Sequence, residues 1–334
     1  MTITKKLLFS LLLSSNAYAV TNGTSVNWND YQDMVEMNCT GTVIAGKFIL
    51  TAAHCSHDDY IRFSDNTTTS SIDRIDHQDA TLEGAMVDVS LWTLPTTLNS
   101  NQIHYFADLN TKNLVVNDEK LRLFGFGSTS YDEQPLHYAT INVHLDTSYE
   151  QIIDGNPIEQ GSGIHGDSGG AWLNKDNQIV AINKSVIGND DGTTTTFGTN
   201  LHYAKDFILT TINGWHYPTL AYTSNGKATI TVQSLHSATY GAVNNIAYST
   251  GDVEIVGGSC TTMTNITPFT TCTYDIESSG GVGTVYLSDT ETITINKAAP
   301  TPPSSGDSDG GSLGFLSVLG LLGLGLIRKR YDFA

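Results

Sequence analysis

The stretch Gly166-Asp167-Ser168-Gly169-Gly170 decides the reading of this chain. Glycine alone adopts without penalty the backbone angles that aim successive N–H groups at one point, so a serine set among three glycines is a candidate nucleophile beside an anion pocket. Two upstream segments supply what such a serine lacks: Thr51-Ala52-Ala53-His54-Cys55 and Asp88-Val89-Ser90-Leu91-Trp92-Thr93-Leu94. A serine hydroxyl is a poor nucleophile at neutral pH and needs an imidazole within about 2.6–3.2 Å. A buried carboxylate on the other ring nitrogen then enforces one tautomer. His54 is the candidate base, Asp88 the orienting carboxylate and Ser168 the nucleophile. The backbone N–H groups of Gly166 and Ser168 are the candidate oxyanion donors, where loss of one donor costs roughly a hundred- to a thousand-fold in rate. Asp73, Asp76 and Asp79 compete with Asp88, but only Asp88 opens an apolar run (Val89, Leu91, Trp92, Leu94) that can bury a carboxylate beside a strand. Gly161-Ser162-Gly163-Ile164-His165-Gly166 also matches G-x-G-x-x-G, yet no strand–turn–helix context surrounds it, and it is read as a chance match.

With these motifs in the order His, Asp, Ser, residues 20–217 resemble a chymotrypsin-type (trypsin-like) serine protease domain. Cys39-Thr40-Gly41-Thr42 ahead of His54 and Gly125-Phe126-Gly127 agree with the family, as does an apolar helix-like stretch with Phe207, Ile208, Ile212 and Trp215. The resemblance implies an all-β fold of two antiparallel six-stranded β-barrels with a C-terminal helix and the triad in the cleft between barrels. It implies a serine endopeptidase acting on protein or peptide substrates through an acyl-enzyme. It further implies that a new N-terminus folds inward and that its amine pairs with the Asp before the catalytic serine, here Val20 with Asp167. In the family the residue six positions before the serine floors the specificity pocket. Ser162 stands there rather than the Asp that selects Lys or Arg, with Gly163 and Ile164 beside it and Val186 on one wall. An uncharged apolar or aromatic side chain is therefore the expected preference. An acidic one is the alternative if His165, Lys184 and His202 approach the pocket.

Both ends carry tags. Lys5 and Lys6, the run Leu7–Leu13 and Ala17-Tyr18-Ala19 read as a signal peptide over 1–19. Cleavage there by signal peptidase exposes Val20-Thr21-Asn22-Gly23, so the same cut is expected to activate. Residues 298–311, with Pro300, Pro302 and Pro303, read as an extended linker. In 312–334 the 15 residues Leu313–Ile327 precede Arg328-Lys329-Arg330; they fall short of the roughly 17–20 that a bilayer span needs, and the basic end fits a cytoplasmic stop. This pattern resembles the GlyGly-CTERM sorting signal of Gram-negative bacteria. It implies a transient inner-membrane anchor, a rhomboid-type sorting protease, the type II secretion machinery, and an extracellular or cell-surface destination.

The chain of 334 residues has a net charge of −18, and loss of the two basic ends makes it more negative. Such a surface disfavours nucleic acid. Four cysteines in an exported chain suggest two disulfides, of three possible pairings. The resemblance pairs Cys39 with Cys55 beside the catalytic His and leaves Cys260 with Cys272, a loop whose closure is worth about 3 kcal/mol in the entropy model. No clustered metal-ligand spacing occurs, so neither metal nor cofactor is expected, and the expected state is a monomer. Residues 219–297 are rich in Thr, Ser and Gly. Alternating runs such as Ala228–Val232 and Thr292–Ile295 point to a small antiparallel β-sandwich. A spacer or a binding module both fit it. The rival to the peptidase is an idle homologue that serves as a surface adhesin through this domain.

Overall fold

Period-two spacing places alternate side chains on opposite faces of a strand, and the long strands here follow it. His137–His144 buries His137, Ala139, Ile141 and Val143, and Thr271–Glu277 turns Cys272, Tyr274 and Ile276 inward. The computed structural model of the chain describes residues 20, 22–57, 60–81, 86–127, 135–146, 148–158, 161–241 and 247–298. The segments expected to be a signal peptide (1–19) and a C-terminal tag (312–334), and most of the expected linker, lie outside the described residues. No helix among the described residues is long and apolar enough to cross a membrane.

Six antiparallel strands close a barrel in the order Lys120–Gly125, His137–His144, Ile152–Pro157, Thr194–Asn200, Ile179–Gly188 and Ala171–Leu173, the last pairing back to the first. Thr24–Ser25 adds to its outside along His137 and Tyr138. The N-terminal sheet runs Thr68–Thr69, Ile61–Arg62, Met34–Glu36, Thr40–Ile44, Phe48–Thr51, Ser90–Thr93, Asp73–Asp76. Among the described residues its two end strands do not pair, so it is a curled half-barrel rather than a second closed one. Those end strands are short and half-exposed, and closing them would bury little apolar surface. The helix Lys205–Ile212 ends at Asn213 in the left-handed region (φ 42°), and Trp215 leaves it for a strand.

That strand, Trp215–His216, opens a sandwich. One sheet orders Trp215–His216, Lys227–Ser234, Thr271–Glu277 and Glu254–Gly257; the other orders Leu220–Ala221, Thr292–Ile295, Gly283–Tyr286 and Tyr248–Gly251. Ile230 and Val232 of the first share a core with Val285, Ile293 and Ile295 of the second, packed around the Cys260–Cys272 disulfide. One pairing departs from the antiparallel expectation: Leu220–Ala221 runs parallel to Thr294 and Ile295.

The sandwich grips the segment that leads from the half-barrel to the barrel. Thr219 Oγ1 accepts from the Ser100 N–H (2.8 Å) and donates to the Leu98 carbonyl (2.5 Å). The Gln233 amide brackets Phe106 on both backbone groups (3.0 and 2.8 Å), and the Tyr105 hydroxyl donates to the Thr231 carbonyl (2.6 Å). His216, fully buried, accepts from the Ala45 N–H at Nδ1 (3.0 Å) and so donates from Nε2 to the His104 carbonyl (2.9 Å). Burial disfavours its protonated form and brings its pKa down from 6.5 to about 4.

That depression has a definite sign. The unfolded chain binds a proton near 6.5 that native His216 refuses until about 4, so its contribution is complete above 6.5 and is lost as pH falls through that window. His104, whose protonated form Asp33 favours against burial, moves the opposite way, so the test is by difference. In His216→Gln, which keeps a donor and an acceptor, about 2 kcal/mol of the fall in stability between pH 7 and pH 5 should disappear. Urea titrations at the two pH values measure it.

Candidate active site

His54 stands in the turn after the strand Phe48–Thr51, and three constraints hold that turn. The Cys39–Cys55 disulfide ties it to the neighbouring strand. Arg74 donates to the Cys55 carbonyl (2.6 Å) and to the Ala53 carbonyl, with its guanidinium over the Trp92 ring at 5.5 Å. Asp88, which is 5 % exposed, accepts the His54 backbone N–H at Oδ1 (3.0 Å) and the His54 Nδ1–H at Oδ2 (2.6 Å). With Nδ1 donating to the carboxylate, Nε2 is left to accept, and it lies 2.9 Å from Ser168 Oγ. The competing acids lie elsewhere: Asp76 pairs with Arg74 (2.8 Å), Asp79 sits near His77, and Asp73 is exposed. Cys39, Cys55 and His54 cluster as a metal-ligand set does, but the two sulfurs are bonded to each other.

Ser168 comes from the closed barrel, and Thr40 of the half-barrel fastens its loop. The Thr40 N–H donates to the Ser168 carbonyl (2.8 Å). Thr40 Oγ1 donates to the Gly166 carbonyl (3.0 Å) and accepts the Phe126 N–H (3.1 Å). Gly166 (φ 99°) and Gly169 (φ 82°) take left-handed conformations that side chains rarely adopt. A Cβ at Gly169 would also collide with Thr51 Oγ1 and the Thr40 carbonyl. Among the described residues, neither the Gly166 nor the Ser168 N–H donates to a protein acceptor, and both residues line the cleft.

Asp167 is fully buried beneath them. Its carboxylate accepts the backbone N–H groups of Ile164 (2.7 Å), Gly127 (2.8 Å) and Val20. Burial outweighs these three neutral donors and pushes Asp167 up to about 7. Val20 is itself fully buried, packed with Leu121, Leu123 and Ala139 in the barrel core.

The cleft has a volume of about 770 Å³ and joins His54, Ser168 and Gly166 with Met37, Tyr60, Ile164, His165, Lys184, Ser185 and Val186. Of the expected pocket residues, Ile164 and Val186 line it. Ser162 is half-buried and Gly163 buried, and neither is among the lining residues. Of the three cations weighed for an acidic preference, His165 and Lys184 line the cleft, while His202 lies away from it and donates from Nδ1 to the Leu109 carbonyl (2.8 Å). Three contributions were missed from sequence: the Arg74 brace, the Thr40 bridge and the approach of Lys184 Nζ to Asp88 Oδ2 at 3.7 Å. Arg74 had a faint signal, as the one long cation in the alternating strand Asp73–Asp76. Burial opposes ionisation of Asp88, but the His54 hydrogen bond, the charges of His54 and Lys184 and the His54 N–H together hold its carboxyl below the usual range.

No curated protein matches the chain. Among solved structures it is similar to the VesB protease of Vibrio cholerae at 16 % identity, over 82 % of this chain and 98 % of that one, with a TM-score of 0.45. It is similar to a mutant of human heparin binding protein at 15 % identity, over 57 % and 96 %, with a TM-score of 0.49. A scabies mite inactivated protease paralogue gives 14 % identity, 57 % and 98 %, and 0.46. The family model for trypsin matches residues 19–208, more than half of the sequence: the chain belongs to the trypsin family of serine proteases.

Proposed function

We propose that this trypsin-family protein is an exported serine endopeptidase that cleaves peptide bonds through an acyl-enzyme. The observation that carries the reading is the unbroken chain Asp88–His54–Ser168, at 2.6 and 2.9 Å, opening on one cleft. Ser168 Oγ attacks the substrate carbonyl while His54 Nε2 takes its proton and later gives it to the leaving amine. Asp88 stabilises the imidazolium formed between these steps. The Gly166 and Ser168 N–H groups receive the developing oxyanion. Ile164, Val186 and Met37 along the cleft support an uncharged apolar or aromatic preference. Two disulfides support an oxidising, exported setting.

Activation belongs to the same proposal. A chain that begins at Val20 replaces an amide N–H at Asp167 with an ammonium. A buried carboxylate that three neutral donors leave near 7 then gains an opposite charge and stays ionised. The loop bearing Gly166 and Ser168 is thereby fixed from below.

Ser168→Ala should abolish both peptide hydrolysis and labelling by a fluorophosphonate probe, and peptide mapping of the labelled protein should place the adduct on Ser168. Asp88→Asn should lower kcat about a thousand- to ten-thousand-fold while the protein stays folded. Full activity in Ser168→Ala would overturn the mechanism.

Sequencing of the active protein should return Val-Thr-Asn-Gly. One extra residue ahead of Val20 should cut kcat/KM by about a hundred-fold or more, the scale of a disturbed oxyanion site. An active enzyme that starts elsewhere would remove the activation proposal.

A further inference from the structure

The strand Ile179–Gly188 is regular against Thr194–Asn200 except at one place: the register slips between Asn183 and Ser185. The residue inside that slip is Lys184. Bulges of this kind free one residue from the ladder and re-aim its side chain, often beside active sites. Here the result is a lysine in the cleft whose Nζ lies 3.7 Å from Asp88 Oδ2, the same oxygen that accepts the His54 Nδ1–H at 2.6 Å. The Lys184 side chain is 21 % exposed and that of Asp88 is 7 % exposed, so water screens the pair only in part.

We infer that Lys184 is a positioning residue that sets the pH range in which His54 works as a base, by sharing the Asp88 carboxylate with it. The inference rests on the peptidase reading above and deepens it. Asp88 favours the imidazolium; an ammonium on the same carboxylate offsets part of that attraction and repels the imidazolium directly. With Lys184 present the imidazolium is less favoured, so the neutral base persists to lower pH than it would with the carboxylate to itself. Removal of Lys184 leaves the carboxylate to His54 alone, and the protonated form persists to higher pH. The engagement with Asp88 also draws the ammonium away from substrate, consistent with an apolar preference.

Other charged or titratable groups face this site. Tyr60 and His165 line the cleft with it, and Glu36 does so while paired with Arg62. Arg74 lies behind the His54 turn, paired with Asp76. All remain unchanged when Lys184 alone is replaced.

The test compares the mature full-length protein with Lys184→Met, Lys184→Gln and Lys184→Arg. The rate of fluorophosphonate labelling at Ser168 is followed from pH 4.5 to 9, and the His54 ring is titrated by proton NMR in a Ser168→Ala background. The acid limb of labelling and the His54 midpoint should both move up by roughly half a unit to one unit in the two neutral variants. Lys184→Arg, which keeps the cation, should stay with the wild type. Profiles that superimpose for all proteins would overturn the inference. So would a shift in Lys184→Arg as large as in Lys184→Met, since packing rather than charge would then be responsible. Absence of labelling in the wild type would sink the peptidase reading, whereas the His54 titration would still judge Lys184 by itself.

Discussion

His54 and Ser168 belong to different sheets, so the 2.9 Å contact between them depends on how the half-barrel is held against the barrel. Thr40 carries much of that constraint. One residue of the half-barrel bonds the Ser168 carbonyl, the Gly166 carbonyl and the Phe126 N–H, while its own carbonyl accepts from Thr51 Oγ1 at 2.9 Å at the base of the His54 turn. A shift of the two sheets would break bonds at both ends of this bridge. The three that involve a side-chain hydroxyl are buried, where an unpaired polar group costs about 1–3 kcal/mol.

The sandwich adds a second hold from the far side. It contacts the connecting segment at Leu98, Ser100, His104, Tyr105 and Phe106, mostly through backbone groups. That segment joins the sheet bearing His54 and Asp88 to the barrel bearing Ser168, so gripping it limits how the two can move apart. Such a role differs from both a free spacer and a surface-binding module. It needs neither an exposed ligand site nor a long arm, only a rigid core, which the Cys260–Cys272 disulfide helps to supply.

The fold class and the juxtaposition of His54, Asp88 and Ser168 were legible in the sequence because both rest on local patterns. Glycines flank Ser168, an apolar run follows Asp88, and alternation marks strands such as Ala228–Val232. What escaped depends on register and on packing between distant segments. Among the described residues the half-barrel stays open, with end strands of two and four residues, and strand length is poorly marked in Thr- and Asp-rich stretches. Trp215 has the apolar spacing of the helix before it, yet Asn213 in the left-handed region ends the helix first. Thr40 and Arg74 are ordinary residues in their own segments, and their roles appear only once strands far apart in the chain are brought together.

Charge at the site obeys one rule applied twice. Asp167 and Asp88 are both buried carboxylates, and burial alone favours the protonated acid. The His54 hydrogen bond, with the charges of His54 and Lys184, holds the Asp88 carboxyl below the usual range; Asp167, which among the described residues has only amide donors, is pushed up to about 7. The two acids therefore differ in what they require. Asp88 is supplied by residues already in the fold, one of them set in place by a strand bulge. Asp167 accepts the Val20 backbone N–H, and in the activation proposed above the amine of a chain beginning at the buried Val20 would bring the positive charge that these amide donors do not.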